Sequence, residues 1–188
     1  MGVLVPTKVF LVRGQGRHKE KLVSFEKALR EAGIAPYNLV RVSSIYPPHC
    51  RFVSKAAGLK LLEPGQILFV VLSENATDDP HAVISASIGM AVPDDPSHYG
   101  YLAEHADVGK SAKETSRHTE YLAAEMLATK LGEKLKEPAL GKLPASFRIA
   151  NGLSLKTRSI TQSAMGEAGL WTTALAAAVL VCEEGVKP

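Results

Sequence analysis

Two adjacent serines, Ser43 and Ser44, stand where the apolar-rich stretch from Tyr37 to Val42 runs into Ile45-Tyr46-Pro47-Pro48. A serine hydroxyl can attack the carbonyl of the residue before it when a strained turn aligns the two, and the amide then becomes an ester. Elimination from that ester leaves dehydroalanine. Hydrolysis of the dehydroalanine expels ammonia and leaves a ketone, a pyruvoyl group, at a new N-terminus. Chemistry alone does not demand this outcome, because most Ser-Ser pairs are solvated turns and prolines are ordinary stop signals after a strand.

Other patterns carry less chemistry. Gly14-Gln15-Gly16 precedes a helical stretch, and helix N-termini attract anions. Lysine at position 19 occupies the place where a dinucleotide fingerprint needs glycine, so a plain flexible turn is expected there. The six histidines, at 18, 49, 81, 98, 105 and 118, include no pair at ligand spacing, and no metal site is expected. A Gly-x-Ser-x-Gly elbow is absent, which argues against a serine hydrolase. With 22 basic and 19 acidic side chains the net charge of +3 is small and dispersed, so nucleic acid is not an expected partner. No apolar run reaches membrane-spanning length, so no membrane partner is expected either. Cys50 and Cys182, in a chain whose N-terminus lacks signal-peptide character, are expected to be reduced thiols in the cytoplasm.

The elements that must position Ser43 and Ser44 follow from periodicity. Thr7 to Arg13 suits a strand, and Leu22, Phe25, Ala28 and Leu29 recur at helical spacing between Lys19 and Ala32, with Gly33 placed as a stop. A second strand carries the chain to Ser43, and an irregular stretch follows Pro48. Ile67–Leu72, His81–Val92 and His98–Asp107 predict further strands, and Ser111–Leu131 predicts the longest helix, ending near Gly132. Glu133–Leu143 reads as a connector. Ser146–Arg158 and Leu170–Val181 predict two closing strands, although the alanines of the second also suit a buried helix. Most strands follow one another with no helix between, so the expected fold is a single-domain α+β sandwich of two helices and six or seven strands.

The stretches "EKALREAGIAPYNLVRVSSIYPP", "ISASIGMAVPDD" and "YGYLAEH", in that order, resemble the pyruvoyl-dependent arginine decarboxylase family from roughly Thr7 through the long helix. The resemblance implies a four-layer αββα sandwich, a homotrimer or a dimer of trimers, and autocatalytic cleavage between Ser43 and Ser44. Residues 1–43 would form a small chain ending in Ser43, and residues 44–188 a large chain beginning with the covalent pyruvoyl cofactor made from Ser44. Arginine would then be decarboxylated to agmatine. By the same resemblance Glu104 is the catalytic acid, Asn38 orients the scissile carbonyl or the substrate, and Glu26 meets the guanidinium where the best-known members carry aspartate. Glu104 shares a strand face with Leu102 and Ala106, so apolar surroundings are expected for its carboxyl. Glu26 also stands i, i+4 to Arg30, the spacing of an ordinary surface pair. Two alternatives stay open: the same chemistry on another amino acid, and an uncleaved relative that binds a cationic metabolite without turnover.

Overall fold

The computed structural model describes residues 4–135, 146–148 and 154–182. The elements run β1 (Lys8–His18), α1 (Lys21–Ala32), β2 (Asn38–Arg41), β3 (Ile45–Tyr46), β4 (Arg51–Phe52), α2 (Lys55–Leu59), β5 (Ile67–Thr77), β6 (Val83–Pro93), β7 (Gly100–Val108), α3 (Ala112–Lys130), β8 (Ser146–Arg148), β9 (Ser154–Met165) and β10 (Trp171–Val181). They form two five-stranded sheets. Sheet A has the order β2-β5-β10-β1-β4 and sheet B the order β3-β7-β6-β9-β8.

Side-chain alternation sorts three cores. Val9, Leu11, Val71, Ala174, Ala176 and Ala178 of sheet A meet Ile84, Ala86, Ile88, Met90 and Leu102 of sheet B. On the other face of sheet A, Phe10, Val12, Leu175 and Val179 pack with Ala28 and Ala32 of α1. On the outer face of sheet B, Ala91 and Ala103 meet Ala123, Ala124 and Leu127 of α3. The layers therefore run α1, sheet A, sheet B, α3, the αββα sandwich expected. The described strands exceed six or seven because β3, β4 and β8 are only two or three residues long, too short to leave a periodic signal. β4 and the five-residue helix α2 break up the stretch after Pro48, α2 being a third helix beside the two expected, and the expected strand at 146–158 is two strands, β8 and the start of β9. Most of the connector at 133–143 lies outside the described residues. Among the described residues no helix is long and apolar enough to cross a membrane.

Gly14-Gln15-Gly16 is not a turn. β1 runs straight through it, paired with β10 from Lys8↔Val181 to His18↔Trp171. The glycines are there because α1 lies on them: a Cβ on Gly14 would sit 2.2 Å from the Ala28 oxygen, and one on Gly16 would sit 2.1 Å from the Ser24 oxygen. At such a separation the helix backbone rests directly on the strand. Gly89 of β6 plays the same part under α3, where a Cβ would fall 2.2 Å from the Thr119 oxygen. Helix α1 is then tied by polar contacts, Ser24 Oγ to Thr173 Oγ1 at 2.7 Å in the core, and Glu31 Oε2 accepting from the Gln15 N–H of β1 at 3.1 Å. The last alanines are a strand because β10 is central in sheet A and buried on both faces, where only small or β-compatible side chains fit between α1 and sheet B.

Gly16→Ala should therefore push α1 off β1. We expect a loss of about 3 kcal/mol or more in denaturant unfolding, at the upper end of overpacking costs. An unchanged unfolding midpoint would contradict the close helix-on-strand packing.

Candidate active site

The chain leaves sheet A and joins sheet B at the two serines. β2 is the edge strand of sheet A and pairs in parallel with β5, and this pairing ends with Val42 N–H donating to Val70 O at 3.0 Å. Pairing with sheet B begins at the next residue but one, where Ser44 O accepts from Leu102 N–H at 2.8 Å, ahead of the β3 pairs Ile45↔Tyr101 and Tyr46↔Gly100. Only Ser43 lies between the two ladders. Pro47 and Pro48 then end β3, since proline has no N–H to give the ladder. The turn that follows puts His49 at φ 57 and is closed by Cys50 N–H to Pro47 O at 3.3 Å. Tyr46 Oη donates to Cys50 O at 2.7 Å and clasps this turn; burial holds its hydroxyl pKa well above the usual tyrosine value. Burial, and then the neighbouring Cys182 sulfur, push the Cys50 thiol up to about 12. Both cysteines are free thiols.

At the crossing, Ser44 Oγ donates to Glu104 Oε2 at 3.0 Å. Ser43 O accepts from Ile45 N–H at 3.0 Å. The hydroxyl, the carbonyl before it and the carbonyl after it thus each have a partner. An apolar cavity of ≈ 380 Å³, with Val42, Phe69, Leu180 and Pro47 in its walls, opens beside Ser43. Glu104 does not have the apolar enclosure expected of it. Leu102 on the same face is fully buried, but Glu104 and Ala106 are exposed, because β3 covers only the first two residues of β7 and, among the described residues, leaves the rest as a free edge. The carboxylate sits on the rim of the sandwich.

Asn38 and Glu26 lie elsewhere in this chain. Asn38 Nδ2 donates to Gly65 O at 2.7 Å. It precedes Ser44 by six residues of mostly extended chain, roughly 20 Å at the usual strand rise. Glu26 is on α1, so sheet A stands between it and the inter-sheet rim, and it pairs with Arg30 Nε at 2.5 Å. In one chain the fold brings together Ser43, Ser44 and Glu104.

Two further residues support this site from across the sandwich. Ser73 and Asn75 of β5 face sheet B. Ser73 Oγ donates to His105 O at 2.7 Å and accepts from Ser87 N–H at 3.3 Å, and Asn75 Nδ2 donates to Asp107 O at 2.9 Å. They hold the free half of β7, and with it Glu104, against sheet A. Asp107 is itself fixed by Lys110 and His105, whose hydrogen bonds, Lys110 first, keep its carboxyl below the usual range. The sequence contains a trace of the clamp, since polar residues at i and i+2 end the apolar run Ile67–Leu72 at the depth of a core strand.

Comparison with known proteins agrees with these elements. The sequence pattern of the family described as "Pyruvoyl-dependent arginine decarboxylase (PvlArgDC)" matches residues 8–185. The match thus runs past the long helix and through β9 and β10. A "Probable pyruvoyl-dependent arginine decarboxylase" of Chlorobium limicola is 50% identical over 177 residues, 94% of this chain and 98% of the relative. A "Pyruvoyl-dependent arginine decarboxylase" of Nitrosopumilus maritimus is 44% identical over 180 residues, 95% and 98% of the two chains. One of the same name from Methanococcoides burtonii is also 44% identical, over 95% and 99%.

Ser73→Ala should remove the cross-sheet clamp while leaving every apolar contact in place. We expect a cost of about 1–2 kcal/mol, a fall of roughly 2–8 °C in the thermal midpoint, and faster hydrogen exchange along β7. Ser73→Thr, which keeps the hydroxyl, should exchange like the native chain. Unchanged exchange in Ser73→Ala would show that the clamp does not hold the strand.

Proposed function

The chain belongs to the pyruvoyl-dependent arginine decarboxylase family, and from this we propose that it cuts itself between Ser43 and Ser44, makes a pyruvoyl group from Ser44, and converts L-arginine to agmatine and carbon dioxide. One observation carries the reading to these residues: the Ser44 hydroxyl is bonded to Glu104 at a crossing one residue long between two sheets.

In the self-cleavage Glu104 takes the proton of Ser44 Oγ, the oxygen bonds to the Ser43 carbonyl carbon, and the Ser43–Ser44 C–N bond breaks with a proton passing to the nitrogen. Elimination then removes the Ser44 Cα proton and breaks the Cβ–Oγ bond, releasing the Ser43 carboxylate and leaving dehydroalanine, whose hydration expels ammonia and leaves the ketone. The site fits the group so produced. Ser44 O lies downstream of the cut, so its bond to Leu102 N–H survives and keeps the new terminus on the rim beside Glu104. The pyruvoyl ketone supplies a covalent electron sink for the electrons left when carbon dioxide departs. Glu104, exposed and within reach, is placed to return a proton to the substrate carbon. The cavity beside Ser43 offers apolar walls to the substrate's methylene chain, in the size range of small-molecule sites.

Asn38 and Glu26 enter such a site from a neighbouring copy, which favours a homotrimer, or a dimer of trimers, with sites between subunits. Exposed apolar residues support this arrangement: Leu22 one turn before Glu26 on α1, Val40 on β2 and Ile45 beside the cut. Glu26 already accepts a guanidinium N–H, that of Arg30, and the same carboxylate suits the substrate's. Two sparse free thiols favour a cytoplasmic location.

On a denaturing gel the native protein should give two bands of about 4.6 and 15.5 kDa, in proportion to residue number out of 20.1 kDa. The larger should begin with a blocked residue one ammonia lighter than serine. Ser44→Ala should remain whole and inactive; two chains from that variant would refute the assignment. Glu26→Gln should cut itself normally yet lose kcat/KM for arginine by about a hundredfold or more, because a guanidinium would enter without its opposing charge. Unchanged kinetics in that variant would place the guanidinium elsewhere.

A further inference from the structure

We infer that the backbone N–H of Ile45 is the oxyanion donor of the self-cleavage. This deepens the reading above and rests on it. A hydrogen bond from Ile45 N–H back to Ser43 O spans a single residue, so Ser44 is the centre of a three-residue turn, tighter than any β-turn. Among the described residues only His49 combines a side chain with positive φ, so Ser44 holds the negative-φ form of this turn. Both ends are pinned from outside, Val42 N–H to Val70 O and Ser44 O to Leu102 N–H, so the turn is set by the two sheets rather than by its own sequence.

The geometry separates donor from nucleophile. A donor to a carbonyl oxygen prefers the plane of the carbonyl and its substituents, near the lone pairs. The two faces of the Ser43 carbonyl carbon are thereby left open to attack, and the Ser44 hydroxyl is tethered to reach one of them through a ring of Oγ, Cβ, Cα, N and carbonyl carbon. As the Oγ–C bond forms, the carbonyl π electrons move onto Ser43 O, the atom facing Ile45 N–H at 3.0 Å. The proton leaves Oγ for Glu104 Oε2, also at 3.0 Å. Collapse restores the carbonyl, breaks the C–N bond and leaves the electron pair on nitrogen, which takes the proton. No oxidant, reductant or external group is needed. The amide expected to orient this carbonyl, Asn38, is turned to Gly65 O within its own chain, whereas Ile45 N–H is already in contact with it.

The test exchanges that N–H for an oxygen. Cell-free translation with the α-hydroxy analogue of isoleucine at position 45 turns the 44–45 amide into an ester and removes the donor without touching a side chain. A second chain with the α-hydroxy analogue of valine at position 42 loses one ladder bond at the same crossing, to Val70 O, that is not aimed at the scissile carbonyl. Cleavage of the full chain is followed by denaturing gel, and fragment masses separate a cut before 44 from hydrolysis of the introduced ester. We expect the 45 ester to cut about 10²- to 10³-fold more slowly than the native chain, the usual cost of one oxyanion donor, and the 42 ester to stay within a few-fold of native. A 45 ester that cuts at the native rate overturns the inference, as do two esters slowed equally, which would mean only that the crossing had loosened. A native chain that never cuts overturns the self-cleavage reading itself, and this inference with it.

Discussion

The crossing between the sheets constrains everything around it. Here the chain passes from one sheet to the other with ladder bonds pinned at Val42 on one side and Ser44 on the other, two residue steps or about 7 Å of fully extended chain. No slack residue is available to relax the peptide between them. A bulky residue at 43 or 44 would have to fit between an exposed edge and an apolar cavity, and a longer crossing would free the Ser43 carbonyl to turn toward water. Small polar residues satisfy both demands, and the two prolines prevent β3 from being extended at the expense of the turn.

That constraint is only as firm as the sandwich that supplies it. Sheet spacing is set by the alternate small residues of β10, with Ala174, Ala176 and Ala178 toward sheet B. Sheet A is backed by α1, seated on Gly14 and Gly16, and sheet B by α3, seated on Gly89. Among the described residues the free half of β7 has no neighbouring strand on its outer side, and a free edge is the part of a sheet most able to move. Ser73 and Asn75 substitute for the missing strand by bonding it to the opposite sheet. The rim carboxylate can thus be both exposed and fixed.

The legible parts of the sequence were those with local signals. The helix at Ser111 begins with a capping box, Ser111 with Glu114, and Gly33 ends α1 in the left-handed conformation, so both helices were placed closely. Ser43, Ser44 and Glu104 were found through the family's motifs, and the fold brings them into contact. What the sequence hid is non-local. Gly14-Gln15-Gly16 resembles a loop until the helix that lies on it is known, since close approach leaves the same residue type as flexibility does. Glu104 followed Leu102 by the strand period, but where burial stops along a face depends on how far the neighbouring strand reaches, and β3 is two residues long. The Ser73 clamp joins positions 32 residues apart, a pairing that no window of sequence contains.

The proposed chemistry asks the same carboxylate for two opposite services. In the uncut chain Glu104 accepts a hydrogen bond from Ser44; as base it would have to take that proton, and as acid after the cut it would have to deliver one. A carboxyl buried from the start would be poorly suited to the first service, because desolvation disfavours its charged form. Exposure in the single chain therefore suits self-cleavage, and the second service would follow once a neighbouring subunit and a substrate cover the rim and exclude water. Burial that arrives with assembly, rather than with folding, would then let one residue act as base first and acid afterwards.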